Sequence, residues 1–301
     1  MSNNETKALL SIAIPTYNRA NFLDKCLDSI YSEVNNDPIF EIVISDNAST
    51  DNTYEIVQKY KQTHNNNIVY YRQHENVGFS KNFKKVLELA TGEYINPHGD
   101  DDFFNTGMIY EIINLIHKNK DCSVMYTSWK NVPLNITCGI NMNNYLNELN
   151  GINFITSMII KNEDYKKIED KDKFLNTEIN QVYIQLELLK INPKYCILHG
   201  NIFRIDSGGA PYSGYNLSDA AINNYFDILE SYSKYGLDIE TLKNEKIKVL
   251  NSIIFPSIYK VINRASEIDL DGLVEAFIKY YSNEVYFEEK LNEIKSLLKL
   301  I

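Results

Sequence analysis

Gly92-Glu93-Tyr94-Ile95-Asn96-Pro97-His98-Gly99-Asp100-Asp101-Asp102 is a short apolar run that ends in three consecutive carboxylates. Adjacent like charges repel, and a fold tolerates them where water or a cation screens them. Most charge runs are solvated turns that bind nothing. Here position argues for more. Glu93 to Asn96 reads as a strand and helical periodicity resumes at Thr106, so the triplet falls just past a strand's carboxyl end, where open α/β sheets bind ligands. Hard cations such as Mg²⁺ or Mn²⁺ take oxygen ligands, usually one or two carboxylates plus substrate phosphates. The stretch predicts a metal-assisted phosphate site.

Toward the amino terminus, strands and helices alternate. Ala8 to Ile14 is a nearly continuous apolar run, as expected of a strand covered on both faces. It breaks at Pro15-Thr16-Tyr17-Asn18-Arg19, after which Phe22, Leu23, Cys26, Leu27, Ile30 and Val34 form a helical stripe. Phe40 to Ser45 is a second buried-type strand, followed by the polar turn Asp46 to Asp51 and a helix through Tyr54, Val57 and Tyr60. Ile68 to Arg72 is a third, with the turn Glu75-Asn76-Val77-Gly78 and a helix through Phe83, Val86 and Leu87. Four strands alternating with helices predict an α/β fold: a mostly parallel central sheet, helices on both faces and right-handed crossovers. The first turn, PTYNR, lacks the glycines of a GxGxxG unit, and no GxxxxGK[ST] is present. Phosphates bound here therefore need a cation, which the aspartates can hold.

Toward the carboxyl terminus the signal weakens. A helix is expected from about Thr106 to Lys118, a strand over Ser123 to Ser128 near Trp129, and another over Phe154 to Lys161. Residues 131–151 read as an irregular, mobile loop. A charged segment, Asn162 to Lys173, leads to a helix from about Glu178 to Lys190, and His199 to Arg204 with Ser207 to Pro211 reads as a closing loop. Helical stripes resume from Ser218. The expected division is a ligand-binding domain over 1–217 and a helical region over 218–301, which could serve core packing, self-association or contact with a membrane surface.

The 301 residues carry a formal net charge of −10, which argues against nucleic-acid binding. Cys26, Cys122, Cys138 and Cys196 have no CxxC spacing and are expected as free thiols in a reducing cytoplasm. Met1 to Lys7 is polar and unlike a signal peptide, and no apolar run approaches the roughly 20 residues of a membrane helix.

Four landmarks now coincide in order and spacing: SIAIPTYNR, EIVISDNASTDNT, ENVGFSKNF and GEYINPHGDDD. Together, over about residues 8 to 130, they resemble family 2 glycosyltransferases with the Rossmann-like GT-A nucleotide-sugar-binding fold. The resemblance implies a metal-dependent, inverting transfer from a nucleoside-diphosphate sugar, UDP or dTDP type first, to a hydroxyl of a glycan or lipid-linked acceptor in bacterial surface polysaccharide synthesis. It places Pro15, Thr16 and Tyr17 at the nucleobase, with Arg19 in the same donor-binding turn. Asp46 would reach base or ribose, Asn76, Gly78 and Lys81 would wrap the nucleotide, and Asp100 would face the ribose. Asp101, assisted by Asp102, would hold Mn²⁺ or Mg²⁺. Gly99 stands where the commoner DxDD form has its first aspartate. The family's base is an Asp or Glu near the start of a later helix. Glu178 ranks first by spacing, with Asp164, Asp170 and Asp172 as rivals, while His199 and Arg204 are candidates for the diphosphate. The implied location is cytoplasmic, with peripheral contact at the inner face of the plasma membrane and self-association left open. Two other readings compete: a catalytically silent nucleotide-sugar-binding module, and a sugar nucleotidyltransferase, which normally carries a Gly-rich basic first loop that PTYNR is not.

Overall fold

The computed structural model describes residues 7–34, 37–64, 67–129, 132–205 and 216–301. The closing loop expected over Ser207 to Pro211 lies outside them. The chain divides into two compact units, one of Met1–Asn141, Phe154–Lys171 and Glu187–Gly209, the other of Met142–Asn153, Asp172–Leu186 and Ala210–Ile301.

The first unit is built on β1 (Leu10–Thr16), α1 (Ala20–Val34), β2 (Phe40–Asp46), α2 (Thr53–Thr63), β3 (Ile68–Arg72), α3 (Phe79–Leu89) and β4 (Tyr94–Pro97). There follow β5 (Asp102–Phe104), α4 (Met108–Lys118), β6 (Val124–Trp129) and β7 (Asn135–Ile140). Helix α5 (Met142–Glu148) opens the second unit's first segment, and the chain returns through β8 (Met158–Lys161) and α6 (Asn162–Lys166). Helix α7 (Asn180–Ile191) begins in the second unit and ends in the first, before β9 (Lys194–Gly200) and β10 (Phe203–Ile205).

The eight strands of the main sheet run in the order β3-β2-β1-β4-β8-β6-β9-β7. The first four are parallel, with Thr16 opposite Asp46 and Ala13 opposite Pro97, so their carboxyl ends share one edge. Strand β8 runs antiparallel to both its neighbours, and β7 is antiparallel to β9. Leu10, Ile12 and Ile14 pack with Leu23, Leu27 and Ile30 of α1 and Ile109, Ile112 and Ile116 of α4 in one apolar core, each such side chain contributing about 1.5–3 kcal/mol. Helix α3 packs against β1, β2 and β4, with buried Asn82 accepting from the Ser45 hydroxyl and donating to its carbonyl. A short antiparallel pair, β5 with β10, begins at the triplet's last aspartate, Asp102.

Sequence reading goes wrong in three places here. His199 to Arg204, expected as part of a closing loop, is mostly strand, since β9 runs to Gly200 and β10 pairs with β5 from Phe203. Residues 131–151 are not irregular where described, because β7 and α5 form within them. Four free thiols were expected, yet Cys138 and Cys196 are disulfide-bonded, leaving Cys26 and Cys122 free and buried. The reason is register: the two residues face each other directly across β7 and β9 with 4.1 Å between Cα atoms, the close approach of a non-hydrogen-bonded antiparallel pair.

The second unit is helical. After α5 and the start of α7 come α8 (Asn224–Glu230), α9 (Ile239–Val249), α10 (Phe255–Ile262), α11 (Leu273–Tyr281) and α12 (Phe287–Leu298). One-turn π segments precede α8 at Ser218–Asn223 and join α9 to α10 at Leu250–Ile254. Its most buried carboxylate, Glu245, accepts from Tyr225 at 2.6 Å and from Lys248 at 2.8 Å, so the charge is matched within the unit. The helical region expected from residue 218 forms the body of this unit, joined there by residues 142–153 and 172–186. No helix among the described residues is long and apolar enough to cross a membrane.

Candidate functional site

The parallel register sets the site. Since β4 pairs with β1 only as far as Pro97 opposite Ala13, the chain turns at His98 while β1 continues to Thr16 beside it. The His98 amide donates to the Ala13 carbonyl at 2.8 Å, and Asp100 then lies against the end of β1. Thr16 donates its hydroxyl to Asp100 Oδ2 at 2.7 Å. Arg19 brings Nε to 2.8 Å from Asp100 Oδ1 and donates from a terminal nitrogen to Asp101 Oδ2. Thr16, Arg19, Asp100 and Asp101, expected to act together, are thus in contact.

The three aspartates have different surroundings. Asp100 and Asp102 are buried, and Asp101 keeps 34% of its side-chain surface. Burial lifts the Asp100 carboxyl to about 7 against the opposing pull of Arg19 and Thr16. Asp102 rises to about 6 for the same reason, although its Oδ2 accepts a hydrogen bond from the Thr156 hydroxyl. The same hydroxyl oxygen accepts from the Gly99 amide at 2.9 Å. Gly99 has no room for a side chain: a Cβ there would lie 2.5 Å from Asp102 Oδ2 and 3.3 Å from Asp101 Oδ1. This turn cannot carry the first aspartate of a DxDD form without displacing Asp102 from Thr156.

Two residues that sequence reasoning missed clamp the turn. Thr156 stands 54 residues from Asp102, and no local pattern marks it. His98 is within the quoted stretch; its Nε2 lies 3.0 Å from the Asp102 carbonyl, and its ring stacks on Phe104. A carbonyl only accepts, so Nε2 carries the proton and Nδ1 is the bare nitrogen, buried with no hydrogen-bond partner. Burial lowers the ring to about 4 and keeps it neutral.

At the end of β2, Asp46 is completely buried. Its Oδ1 accepts from the Ser49 amide at 2.8 Å and its Oδ2 from the Tyr70 hydroxyl at 2.6 Å, with Arg72 Nε 3.7 Å away. A direct bond from Asp46 to a base or ribose requires these donors to move aside. Pro15 and Thr16 are buried at the end of β1, whereas Tyr17 exposes 40% of its surface. Asn76 is exposed and accepts from Asn47 at 2.8 Å, and Asn47 in turn accepts from the Val77 amide. Gly78 takes φ +83° before α3, a backbone that favours glycine. Lys81 is exposed on the first turn of α3.

The base candidates lie elsewhere in the chain. Asp170 belongs to the first unit, and Asp172 and Glu178 to the second; all three are exposed. Glu178 precedes α7 rather than opening it, and holds φ +60°, a left-handed backbone that costs a non-glycine residue about 1–3 kcal/mol. Asp164, the remaining rival, is buried and bound to Lys167 at 2.8 Å.

Among the described residues, no three His, Cys, Asp or Glu side chains are grouped as a metal cage. The donor set still suits a cation that takes one or two carboxylates and completes its shell with ligand phosphates. Asp100 and Asp101 already share one cationic partner, the Arg19 guanidinium.

Residues 11–168, just over half the chain, match the family described as Glycosyl transferase family 2. The abequosyltransferase RfbV of Salmonella typhimurium is 27% identical over 213 residues, covering 64% of this chain and 63% of that one. The chain thus spans less than two thirds of this curated relative. Among solved structures, Staphylococcus aureus TarS in complex with UDP-GlcNAc superposes with a TM-score of 0.61 at 16% identity, covering 95% of this chain and 83% of that one. The mannosyltransferase PcManGT of Pyrobaculum calidifontis, in complex with GDP-Man and Mn²⁺, superposes with a TM-score of 0.58 at 14% identity, covering 100% and 88%. The fold is the GT-A architecture.

Proposed function

The chain belongs to glycosyl transferase family 2, and from that premise we propose that it moves a sugar from a nucleoside-diphosphate sugar to a hydroxyl of a glycan or lipid-linked acceptor, as in building a bacterial surface polysaccharide. The observation that carries the reading is that a carboxylate left a third exposed, Asp101, and an exposed aromatic ring, Tyr17, both lie in the turns that follow adjacent parallel strands. Tyr17 offers a face for a nucleobase, and Asn76 and Gly78 close on the nucleotide from the next turn. Asp46 acts by holding Tyr70 and the Ser49 turn in place. Asp101, with Asp100 and Asp102 beside it, would hold Mn²⁺ or Mg²⁺, which when bound stabilises charge on the departing diphosphate. Direct displacement inverts the anomeric carbon and needs one general base. That role is assigned to Glu178 on sequence spacing, just before α7.

Thermal melts with UDP, dTDP, GDP, CDP and CMP, each with Mn²⁺, Mg²⁺ or EDTA, test this reading. One nucleoside diphosphate is expected to stabilise the protein, by about 2.7 kcal/mol at 100 times its dissociation constant, and EDTA should remove the shift. A protein that no nucleotide stabilises under any of these conditions would refute it.

A further inference from the structure

We infer that Arg19 is a built-in counter-cation that keeps Asp100 and Asp101 from a free divalent ion and releases them to it when the anionic donor binds. This rests on the metal-assisted reading above. The guanidinium takes the oxygens a metal would use: Nε is 2.8 Å from Asp100 Oδ1, and a terminal nitrogen donates to Asp101 Oδ2. The second oxygen of Asp100 is taken by the Thr16 hydroxyl, and Asp102 Oδ2 by that of Thr156. With Arg19 in place, neither oxygen of Asp100 is free, and Asp101 offers one. Mg²⁺ coordinates oxygen at about 2.0–2.1 Å, too close for the same oxygen to keep its guanidinium.

Arg19 is also placed to leave. It lies in the turn between β1 and α1, exposes 29% of its side chain and rests over the Phe22 ring at 4.6 Å. Its Nε is near Asp100 without making an aligned hydrogen bond, so the charge is matched while the two-pronged carboxylate geometry is not achieved. A planar guanidinium fork suits phosphate as well as carboxylate. The diphosphate of the donor therefore gives Arg19 a second partner as the metal takes the aspartates. Metal and nucleoside diphosphate must then bind cooperatively, each raising the other's affinity by the same factor.

Manganese titration followed by electron paramagnetic resonance, on protein without nucleotide at about pH 8 where free carboxylates are ionised, reads this directly. Arg19→Ala is expected to bind Mn²⁺ at least about tenfold more tightly than the native chain, equivalent to about 1.4 kcal/mol. The gain in Mn²⁺ affinity on adding the stabilising diphosphate should shrink in the variant. Adding Asp101→Asn to Arg19→Ala should abolish the tighter binding. Unchanged or weaker Mn²⁺ affinity in Arg19→Ala, or tighter binding that survives Asp101→Asn, overturns the inference while leaving the transferase reading intact. Native protein that binds no Mn²⁺ even with each diphosphate overturns the metal-assisted reading and this inference with it. Arg19→Gln carries the same test should the alanine variant fail to fold.

Discussion

Strands β2 and β4 flank β1, and the chain carries aspartate at both of their carboxyl ends. The two ends do opposite things with it. Asp46 is wholly buried, with one oxygen on the Ser49 amide and the other on the Tyr70 hydroxyl. Asp101 stays a third exposed and meets one cationic side chain, while its neighbours Asp100 and Asp102 are fastened to Thr16 and Thr156. A carboxylate saturated by its own protein is part of the frame, and one left partly open beside fastened neighbours is available for work. An aspartate at a strand end says little in either direction until its donors are counted.

Removing each carboxylate tests that contrast. Asp101→Asn is expected to lower sugar transfer about 10³-fold while unfolding free energy stays within about 0.5 kcal/mol of native. Asp46→Ala should do the reverse in stability, costing about 3 kcal/mol because the Tyr70 hydroxyl and Ser49 amide lose their buried acceptor. Urea denaturation and a donor-turnover assay on both proteins suffice. An Asp46→Ala protein of native stability, or an Asp101→Asn protein that melts early, breaks the comparison.

The frame beneath the β4 end includes His98, and pH can expose its contribution. Burial lowers the ring from the usual 6.5 to about 4, so the unfolded chain takes up a proton that the folded one refuses. Stability from this group is present above about pH 6.5 and is lost as pH falls toward 4. Between about pH 7 and pH 5 the loss comes to about 2 kcal/mol. His98→Gln, which does not titrate, should show a flatter stability profile across that window. Profiles that run parallel would show that His98 is not held neutral in the fold.

The same contrast explains what was legible. Parallel strands covered on both faces are continuous apolar runs, so β1 and β2 and their turns could be read directly, and with them Thr16, Arg19, Asp100 and Asp101, which the β1 and β4 ends bring together. Strand β7 could not, because NITCGI is exposed along its length at the sheet edge and has no apolar face to announce it. Strand β9 did carry a signal, the apolar run Tyr195 to Leu198, but the His199-Gly200 pair that ends the strand reads as the start of a loop. Thr156 was invisible for another reason. Its value lies entirely in meeting Gly99 and Asp102 across more than fifty residues of chain, and a threonine has no spacing of its own. The base proposed above is the least legible, since Glu178 is marked by a backbone angle rather than by neighbours in sequence.

The smallest expected effect falls on Gly99, and it sharpens the comparison most. A methyl group at this position would sit 2.5 Å from Asp102 Oδ2, an oxygen held by Thr156, and 3.3 Å from Asp101 Oδ1. Something must shift, and the buried, fastened Asp102 is the closer obstacle. Gly99→Ala should therefore cost about 1 kcal/mol of stability, at the low end for overpacking, because the turn can relax toward the open side where Asp101 lies. That relaxation moves the one carboxylate left for a ligand, so Mn²⁺ affinity in the presence of nucleotide should fall more than stability does. Thr156→Val added to Gly99→Ala frees Asp102 to move and should return part of that affinity, whereas a purely structural role for the turn predicts that the two losses add. Chemical denaturation beside manganese titration on the single and double variants separates the outcomes.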